Sequence, residues 1–185
     1  MNPQYSQPPR RAALVTAFIV ILFAPTAWTA PQGKFQQLVD DFIFGTLALS
    51  PSNATQMGYH RHHGVSLDDM LDDYSAAGLD AQRQLLNRIE ARINALPPDS
   101  LDDEQRADVG IMRDAIGAAR LELDEIQGFR HNPTIYVELI GDALYNHYTL
   151  HYAAAPERFR HIIARLKKVP ALLQQAPFPV VAIER

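Results

Sequence analysis

The amino-acid sequence predicts an all-α protein folded as an antiparallel helical bundle. Three observations support this prediction. Beyond position 33, apolar residues recur at three- and four-residue steps, the period of a helix that buries one face. Proline or glycine interrupts these stretches where helices would end. With 47% hydrophobic and 21% charged residues, a chain of 185 residues can bury one core, so a single domain is expected.

Charge and cysteine content argue against several functional classes. The formal net charge is −4, and it becomes −6 without Arg10 and Arg11, so a nucleic-acid partner is not expected. The chain has no cysteine, which excludes disulfides, thiolate metal ligands and a cysteine nucleophile.

The N-terminus, residues 1–30, has the pattern of an export signal. Arg10 and Arg11 precede an apolar run from Ala12 to Ala24, as in a signal peptide. A periplasmic or secreted location is therefore expected. The cleavage site is less well defined, so an uncleaved membrane anchor remains an alternative, and it is the only membrane contact expected.

The first two predicted helices follow the signal. The segment Lys34–Leu49 carries an apolar stripe, and Ser50 with Pro51 ends it. Residues 51–59 predict a short turn or helix closed by Gly58, because glycine readily adopts the left-handed conformation.

A polar stretch from His60 to Asp73 predicts an exposed loop. His60, His62 and His63 lie close together, so a metal site or a substrate-contacting loop are alternatives to a solvated loop. The following aspartates lack the spacing of a calcium loop and are interpreted as helix-start charges and solvated surface: Asp68, Asp69, Asp72 and Asp73.

Two long helices are predicted to pair as an antiparallel hairpin around Pro97 and Pro98. The first runs from about Asp80 to Leu96, and Ser100 with Asp103 resembles a capping box for the second. The predicted contact residues are Leu86, Ile89 and Ile93 on the first helix and Met112, Ile116 and Leu123 on the second, whose apolar seam continues to Ile126.

The next helix is predicted to begin at Asn132 and Pro133, a cap followed by a favourable first residue. His147, Tyr148 and His151 continue its apolar stripe, so both histidines are expected to be buried and neutral. Two histidines four residues apart can also share a zinc ion, but no glutamate follows the first. His147 and His151 are therefore only weak candidates for metal ligands.

The last predicted helix begins near Ala155 and Pro156. Its apolar stripe should face the core, with the arginines and lysines off the stripe, and Pro170 should kink or restart the helix. The stripe comprises Phe159, Ile162, Ile163, Leu166, Val169 and Leu173, and the basic residues include Arg158, Arg160 and Arg165. Residues 177–185 resemble a truncated or aberrant tail.

Several short segments, in order, resemble a known family: the domain-of-unknown-function 885 (DUF885) family of exported bacterial proteins. The residues that carry the resemblance are Leu49-Ser50-Pro51 with Ala54, Thr55 and Gly58, the His60 to Asp73 loop, His131-Asn132-Pro133 with Tyr136, and Arg165-Leu166 followed by Val169 to Leu173 and Ala176.

The resemblance implies that residues 31–176 are the helical N-terminal region of a longer protein similar to zinc metallopeptidases. The zinc motif of that family, of the type His-Glu-x-x-Pro-Gly-His, would lie downstream and has no counterpart here. No catalytic residue is therefore assigned, and zinc is implied only for full-length relatives. The implied partner is the missing C-terminal part of the fold, with a peptide as a further candidate.

Two hypotheses about function remain. In the first, the chain is an uncharacterised, non-catalytic N-terminal part of an exported metallopeptidase-like protein. In the second, it is a stand-alone periplasmic module that binds a metal or a small ligand. The candidate ligand contacts are His60, His62, His63, His131 and Tyr136.

Overall fold

The structure, a computed structural model, describes residues 33–178, and these are mostly helical, which confirms the all-α prediction. The predicted signal (1–30) and residues 179–185 of the predicted tail lie outside the described residues. The elements are α1 (Lys34–Leu49), α2 (Pro51–Gln56), β1 (Arg61–His62), β2 (Val65–Ser66), α3 (Ala76–Asn94), α4 (Asp103–Arg120), α5 (Gly128–His131), α6 (Thr134–Thr149), α7 (Ala155–Leu166) and α8 (Val169–Leu173). No helix among the described residues is long and apolar enough to cross a membrane.

Two groups of helices can be distinguished. We call α1, α3 and α4 the apolar half, because α1 packs on α3, α3 packs on α4, and most of the buried apolar side chains belong to these helices. We call α2, the β1–β2 hairpin, α6 and α7 the polar half, since α6 packs on α2 and α7 around buried polar side chains.

The predicted pairing of α3 with α4 is confirmed. All six predicted contact residues are buried in one cluster. The antiparallel direction is evident from hydrogen bonds near both ends of the pair. The Arg113 guanidinium donates to Asn94 Oδ1 at 3.1 Å, and that of Arg83 donates to Asp124 Oδ1 at 2.8 Å.

The starts of these helices differ from the prediction. α3 begins at Ala76, four residues before Asp80, because the Ser75 side chain caps it by accepting from the Gly78 amide. The capping box of α4 is formed by Asp102 and Gln105, two residues after the predicted pair of Ser100 and Asp103. The longer Gln side chain can reach back to the N-cap amide.

The end of α4 also departs from the predicted seam. Leu121–Ile126 form a π-helical turn, which closes at Gln127 in the left-handed conformation (φ 49°). Leu123 stays buried, but Ile126 is exposed, contrary to the prediction. The wider turn changes the angular spacing of the side chains, so the stripe no longer faces α3.

A small hairpin replaces part of the predicted loop. Arg61 pairs with Ser66, and His62 pairs with Val65. The two turn residues, His63 (φ 46°) and Gly64 (φ 83°), both have positive φ, as a two-residue hairpin turn of type I′ requires. Histidine is a rarer first residue in such a turn than asparagine, which explains why the sequence did not predict it.

The predicted start of α7 is confirmed, and the predicted start of α6 is one residue early. α6 begins at Thr134 with Pro133, the predicted first helical residue, as its N-cap, and Asn132 Oδ1 accepts from the Thr134 amide at 3.0 Å. α7 begins at Ala155, and Pro170 lies in the first turn of α8, so the proline restarts the helix.

Candidate functional site

Arg165 occupies the centre of the polar half. It was expected on the solvated side of α7, but its exposed fraction is 0%. Its guanidinium donates from Nη1 to the Ala143 carbonyl (2.7 Å) and from Nη2 to the Pro51 carbonyl (3.0 Å), the Thr55 hydroxyl (2.6 Å) and the Leu67 carbonyl (3.3 Å). One side chain of α7 therefore holds together α6, α2 and the segment after the hairpin.

Asp68 is also buried, which corrects its interpretation as solvated surface. Its exposed fraction is 4%. Oδ1 accepts from the Thr55 hydroxyl at 2.8 Å and lies 3.0 Å from His60 Nδ1. Burial lowers the pKa of Arg165, while the negative charges of Asp68 and Asp72 oppose that shift. The buried carboxylate and guanidinium thus compensate each other through Thr55.

His147 is fully buried close to Asp68 and Arg165. Its Nε2 lies 3.1 Å from the Asp68 carbonyl oxygen, and its Nδ1 lies 2.6 Å from the Tyr152 hydroxyl. A carbonyl only accepts, so Nε2 carries the proton, and the Tyr152 hydroxyl donates to Nδ1. Burial, with the nearby positive charge of Arg165, lowers the pKa of His147 to about 4. The prediction that His147 is buried and neutral is confirmed.

The same prediction is wrong for His151, which is exposed. α6 ends at Thr149, two residues earlier, so the two histidines no longer lie on adjacent turns of one helix. The Arg158 guanidinium donates to the carbonyls of His147 and Tyr148 at 2.7 and 2.8 Å, which satisfies acceptors that the helix end leaves free. Tyr148 is exposed as well, although its place on the stripe predicted burial.

His161 forms a second buried imidazole next to the first. Its Nδ1 lies 2.6 Å from Asp69 Oδ1, and its ring stacks on His147 with centroids 5.6 Å apart. Partial burial would raise the pKa of Asp69. Hydrogen bonds from His161 and Ser66, together with nearby positive charge, outweigh this effect and lower the pKa.

An open, polar pocket of about 460 Å³ lies against these groups, and we call it the His161 pocket. It forms where the hairpin and the segment after it meet the α6–α7 connection and α7. The His60 ring stacks on the Tyr152 ring within it, with centroids 4.0 Å apart. The lining residues are His60, Arg61, Ser66, Asp68, Asp69, Tyr152, Ala153, Glu157, Arg160 and His161.

Of the five candidate ligand contacts from the sequence, only His60 lines this pocket. His62 and His63 line a different pocket with Asp41. Burial, and then the neighbouring His63, lower the pKa of His62, and its Nδ1 lies 2.8 Å from the Tyr59 hydroxyl.

The other two candidates lie apart from both pockets. His131 is exposed at the end of α5. Tyr136 is buried, and its hydroxyl donates to the Phe129 carbonyl at 3.1 Å. Burial raises the pKa of Tyr136. Its environment is that of a core residue.

The described residues do not fit a zinc site. Between residues 33 and 178, no three His, Asp or Glu side chains are placed to share one metal ion. Both ring nitrogens of His147 are already engaged, as described above. A structural or catalytic zinc site needs at least three protein ligands, so no chemistry through zinc is derived for these residues.

The outer surface of α7 is apolar, contrary to the expectation that this stripe faces the core. Phe159 and Ile163 are each 53% exposed and Leu166 is 48% exposed. We call these three residues the outer face of α7. His161 and Arg165 occupy the opposite, inner side of the helix, so α7 is inverted relative to an ordinary amphipathic helix.

The sequence did not single out Asp68, Tyr152, His161 or Arg165 as site residues. A buried arginine on the polar side of a helix has the same spacing as a solvated one, so periodicity could not separate the two. Asp68 and Arg165 did belong to segments that carry the family resemblance, and that was the available signal.

Comparison with known proteins places the chain in a family. The sequence model of a family described as "Bacterial protein of unknown function (DUF885)" matches residues 51–177. The chain belongs to the DUF885 family. The matched region contains the buried polar groups and the His161 pocket, while α1 precedes it. The description assigns no activity to the DUF885 family.

One solved structure shares the fold of this DUF885 chain. It is that of a presumed lipoprotein of unknown function from Shewanella oneidensis, with a TM-score of 0.68 and 20% sequence identity. The similarity covers 78% of this chain and 25% of that protein, so the chain spans only part of its length. A comparison with curated proteins found no match.

Proposed function

We propose that this chain is the N-terminal helical part of a larger, exported, metallopeptidase-like protein, in which it forms a wall of the cleft and supplies no catalytic group. The inverted α7 is the observation that carries the proposal. A helix with an exposed apolar face and a buried polar face is suited to lie between two layers of a larger fold.

α7 cannot remove its apolar side chains from water by rotating. Rotation would withdraw Arg165 from the four groups that it contacts, and each buried acceptor left without a donor costs about 1–3 kcal/mol. Phe159, Ile163 and Leu166 therefore stay at the surface until another segment covers them. We assign that role to the C-terminal part of the longer protein.

Two further observations support the proposal. The similar solved protein is about four times longer than the part that this chain matches, which leaves ample chain to cover the outer face of α7. Its description as a lipoprotein, together with the signal-like residues 1–30, supports export.

Association of the purified protein tests the docking role. We expect light scattering and binding of a hydrophobic dye, both reduced by a Phe159→Ser, Ile163→Ser double variant, with little change in melting temperature because these side chains are already half exposed. The matched control is Leu172→Ser, which introduces serine at a buried site and should lower the melting temperature. A wild-type protein that is monodisperse and binds no dye would contradict the docking role.

A peptidase assay tests the non-catalytic role. We expect no hydrolysis of a mixed peptide library with added zinc, since hydrolysis needs a metal held by three ligands and a general base. Zinc-dependent cleavage that follows the protein through repeated purification would overturn this part of the proposal.

A second candidate function is a periplasmic binding module for a small ligand. The observation that favours it is the His161 pocket, whose polar groups are held in place by buried contacts.

A further inference from the structure

A second, smaller pocket lies in the apolar half, and we call it the Leu85 pocket. It forms where the end of α1 and the segment before α3 meet α3 and the end of α4. Its volume is about 150 Å³, and it is partly open to solvent. A cavity of about this volume, lined by leucine and similar side chains, can hold a molecule of the size of benzene. The apolar part of the lining consists of Leu49, Leu85, Leu86, Ala119 and Leu123.

Some polar side chains of the lining are already engaged. The Thr46 hydroxyl donates to the Phe42 carbonyl at 2.7 Å, and the Ser50 hydroxyl donates to Asp72 Oδ1 at 2.5 Å. Asp72 Oδ2 accepts from the Ser52 amide at 3.1 Å, so each oxygen of this carboxylate accepts one hydrogen bond. Among the described residues that line the pocket, Asp72 is the only charged one. An anionic ligand would therefore meet a negative charge with no positive charge beside it.

Two neutral polar groups of the lining are not engaged. Within residues 33–178, neither the Tyr74 hydroxyl nor the Gln82 side-chain amide has a hydrogen-bond partner. Tyr74 is held in place, because its backbone amide donates to Gln175 Oε1 at 2.8 Å and its ring stacks on Phe129. Burial, together with the negative charge of Asp72, raises the pKa of Tyr74 to about 12, so the hydroxyl keeps its proton. Both groups can donate and accept a hydrogen bond.

The lining favours a ligand that is mostly apolar and carries one polar group. Water in the pocket finds no hydrogen-bond partner on the five apolar side chains, so an apolar group that displaces it is favoured. The Tyr74 hydroxyl and the Gln82 amide can bond a polar group of the same ligand. A fully apolar ligand would leave both groups without that hydrogen bond.

We propose that the Leu85 pocket binds a small, uncharged molecule, about as large as benzene, that joins an apolar ring to one hydroxyl group. Phenol is the simplest example, and two sources share its chemistry: a free phenol, or the tyrosine side chain of a peptide. The inference goes beyond the proposed function, because the pocket lies in the apolar half and does not depend on what covers α7.

Calorimetric titration of the purified protein with phenol at pH 7 tests the inference. The two matched probes are benzene, which lacks the hydroxyl group, and benzoate, which carries a negative charge. We expect saturable binding of phenol, about three- to ten-fold weaker binding of benzene, the effect of one neutral hydrogen bond, and binding of benzoate weaker by at least about ten-fold. No saturation with phenol up to about 10 mM, or equal affinity for phenol and either probe, would overturn the proposal.

A variant that fills the pocket locates the binding. Ala119→Leu places a larger apolar side chain in the lining, and it should weaken phenol binding at least about ten-fold. Ala118→Leu, at the exposed neighbouring position of α4, is the control and should bind phenol as wild type does. The melting temperature of each variant shows whether it is folded.

A second variant removes only the hydroxyl group. Tyr74→Phe keeps the ring and should not lower the melting temperature, because no described residue bonds that hydroxyl group. It should weaken phenol binding about three- to ten-fold and leave benzene binding unchanged. The control is Tyr145→Phe, at an exposed position of α6. Unchanged phenol affinity in Tyr74→Phe, or in folded Ala119→Leu, would refute the assignment.

Nuclear magnetic resonance gives a readout that does not depend on the variants. The ring current of phenol should shift the methyl signals of Leu85, Leu86 and Leu123, and it should leave those of Leu172, which is buried in α8, unchanged. N-acetyltyrosinamide then separates the two sources. Shifts of the three leucines with this compound support a peptide side chain, while shifts with phenol alone support a free molecule. Shifts confined to Leu172 would contradict the proposal.

Discussion

The apolar half and the polar half of this protein use opposite rules to bury a helix face. In α3 and α4, the apolar stripe faces inward and the charged residues remain at the surface. In α7, Arg165 and His161 face inward, while the apolar side chains of Phe159, Ile163 and Leu166 are exposed. The difference shows that one chain can build adjacent cores from nonpolar contacts and from directed hydrogen bonds.

The two kinds of core differ in what they require of their neighbours. Apolar burial has no direction, so any suitable face of another helix stabilises it at about 25 cal/mol per Å². A buried guanidinium needs acceptors at fixed positions, and Arg165 takes them from α6, α2 and the segment after the hairpin. The polar half therefore depends on elements distant in sequence, while the α3–α4 pair is local.

The largest effect is expected when a charge enters the apolar half. Ile116→Asp would place a carboxylate in a site that is 2% exposed, without a partner, and should lower the free energy of unfolding by at least about 4 kcal/mol. Denaturant unfolding monitored by circular dichroism measures this change. The control is Ile111→Asp on the same helix, where the side chain is 66% exposed and the change should be below about 0.5 kcal/mol. Similar stability of the two variants would disprove the α3–α4 pairing.

Replacing a buried charge by an apolar side chain should destabilise the polar half. Arg165→Met removes the buried charge while keeping much of the volume, and it leaves Asp68 and three carbonyls without compensation. We expect the free energy of unfolding to fall by about 3–5 kcal/mol. Arg160→Met, an exposed arginine on the same helix, should change it by less than about 0.5 kcal/mol. A stabilised Arg165→Met protein would mean that the polar core is replaceable by an apolar one.

The stability of the polar half should also depend on pH, because His147 is buried there with a lowered pKa. The folded pKa of His147 is about 4, and its ordinary value is 6.5, so the unfolded chain binds more protons between these pH values. Stability is therefore retained above pH 6.5 and lost as the pH falls towards 4, by about 3 kcal/mol for this one group.

His147→Gln should flatten that dependence, although the variant itself should be less stable at pH 7. Urea unfolding at a series of pH values provides the measurement. His151→Gln is the control, because His151 is exposed and should leave the pH profile unchanged. An unaltered profile in His147→Gln would show that other groups cause the acid sensitivity.

The smallest effect is expected at the start of α4. Asp102→Ala removes the side chain that accepts from the Gln105 amide at 2.8 Å, and it should lower the free energy of unfolding by about 1 kcal/mol. Asp103→Ala, whose side chain is exposed and pairs with Arg106, should have a smaller effect. Equal losses would argue against the observed capping box.

The sequence by itself determined the helical class, the α3–α4 pairing and most helix starts. These features depend on local signals, such as the spacing of Ile89 and Met112 within their stripes or the turn at Pro97. Hydrophobic period and capping act over a few residues, so they can be read directly. The family resemblance was likewise visible in short segments, and the match over residues 51–177 confirms it.

Only the tertiary structure decided which side of α7 is buried and which polar residues meet. Arg165 and Pro51 are 114 positions apart, and His161 and Asp69 are 92 apart, so no local pattern relates them. The helical period also failed for His151. It predicted a buried side chain, but α6 ends two residues before His151, which is exposed to solvent. A hydrogen bond selects its partner by position in space, and periodicity along the chain carries no information about that position.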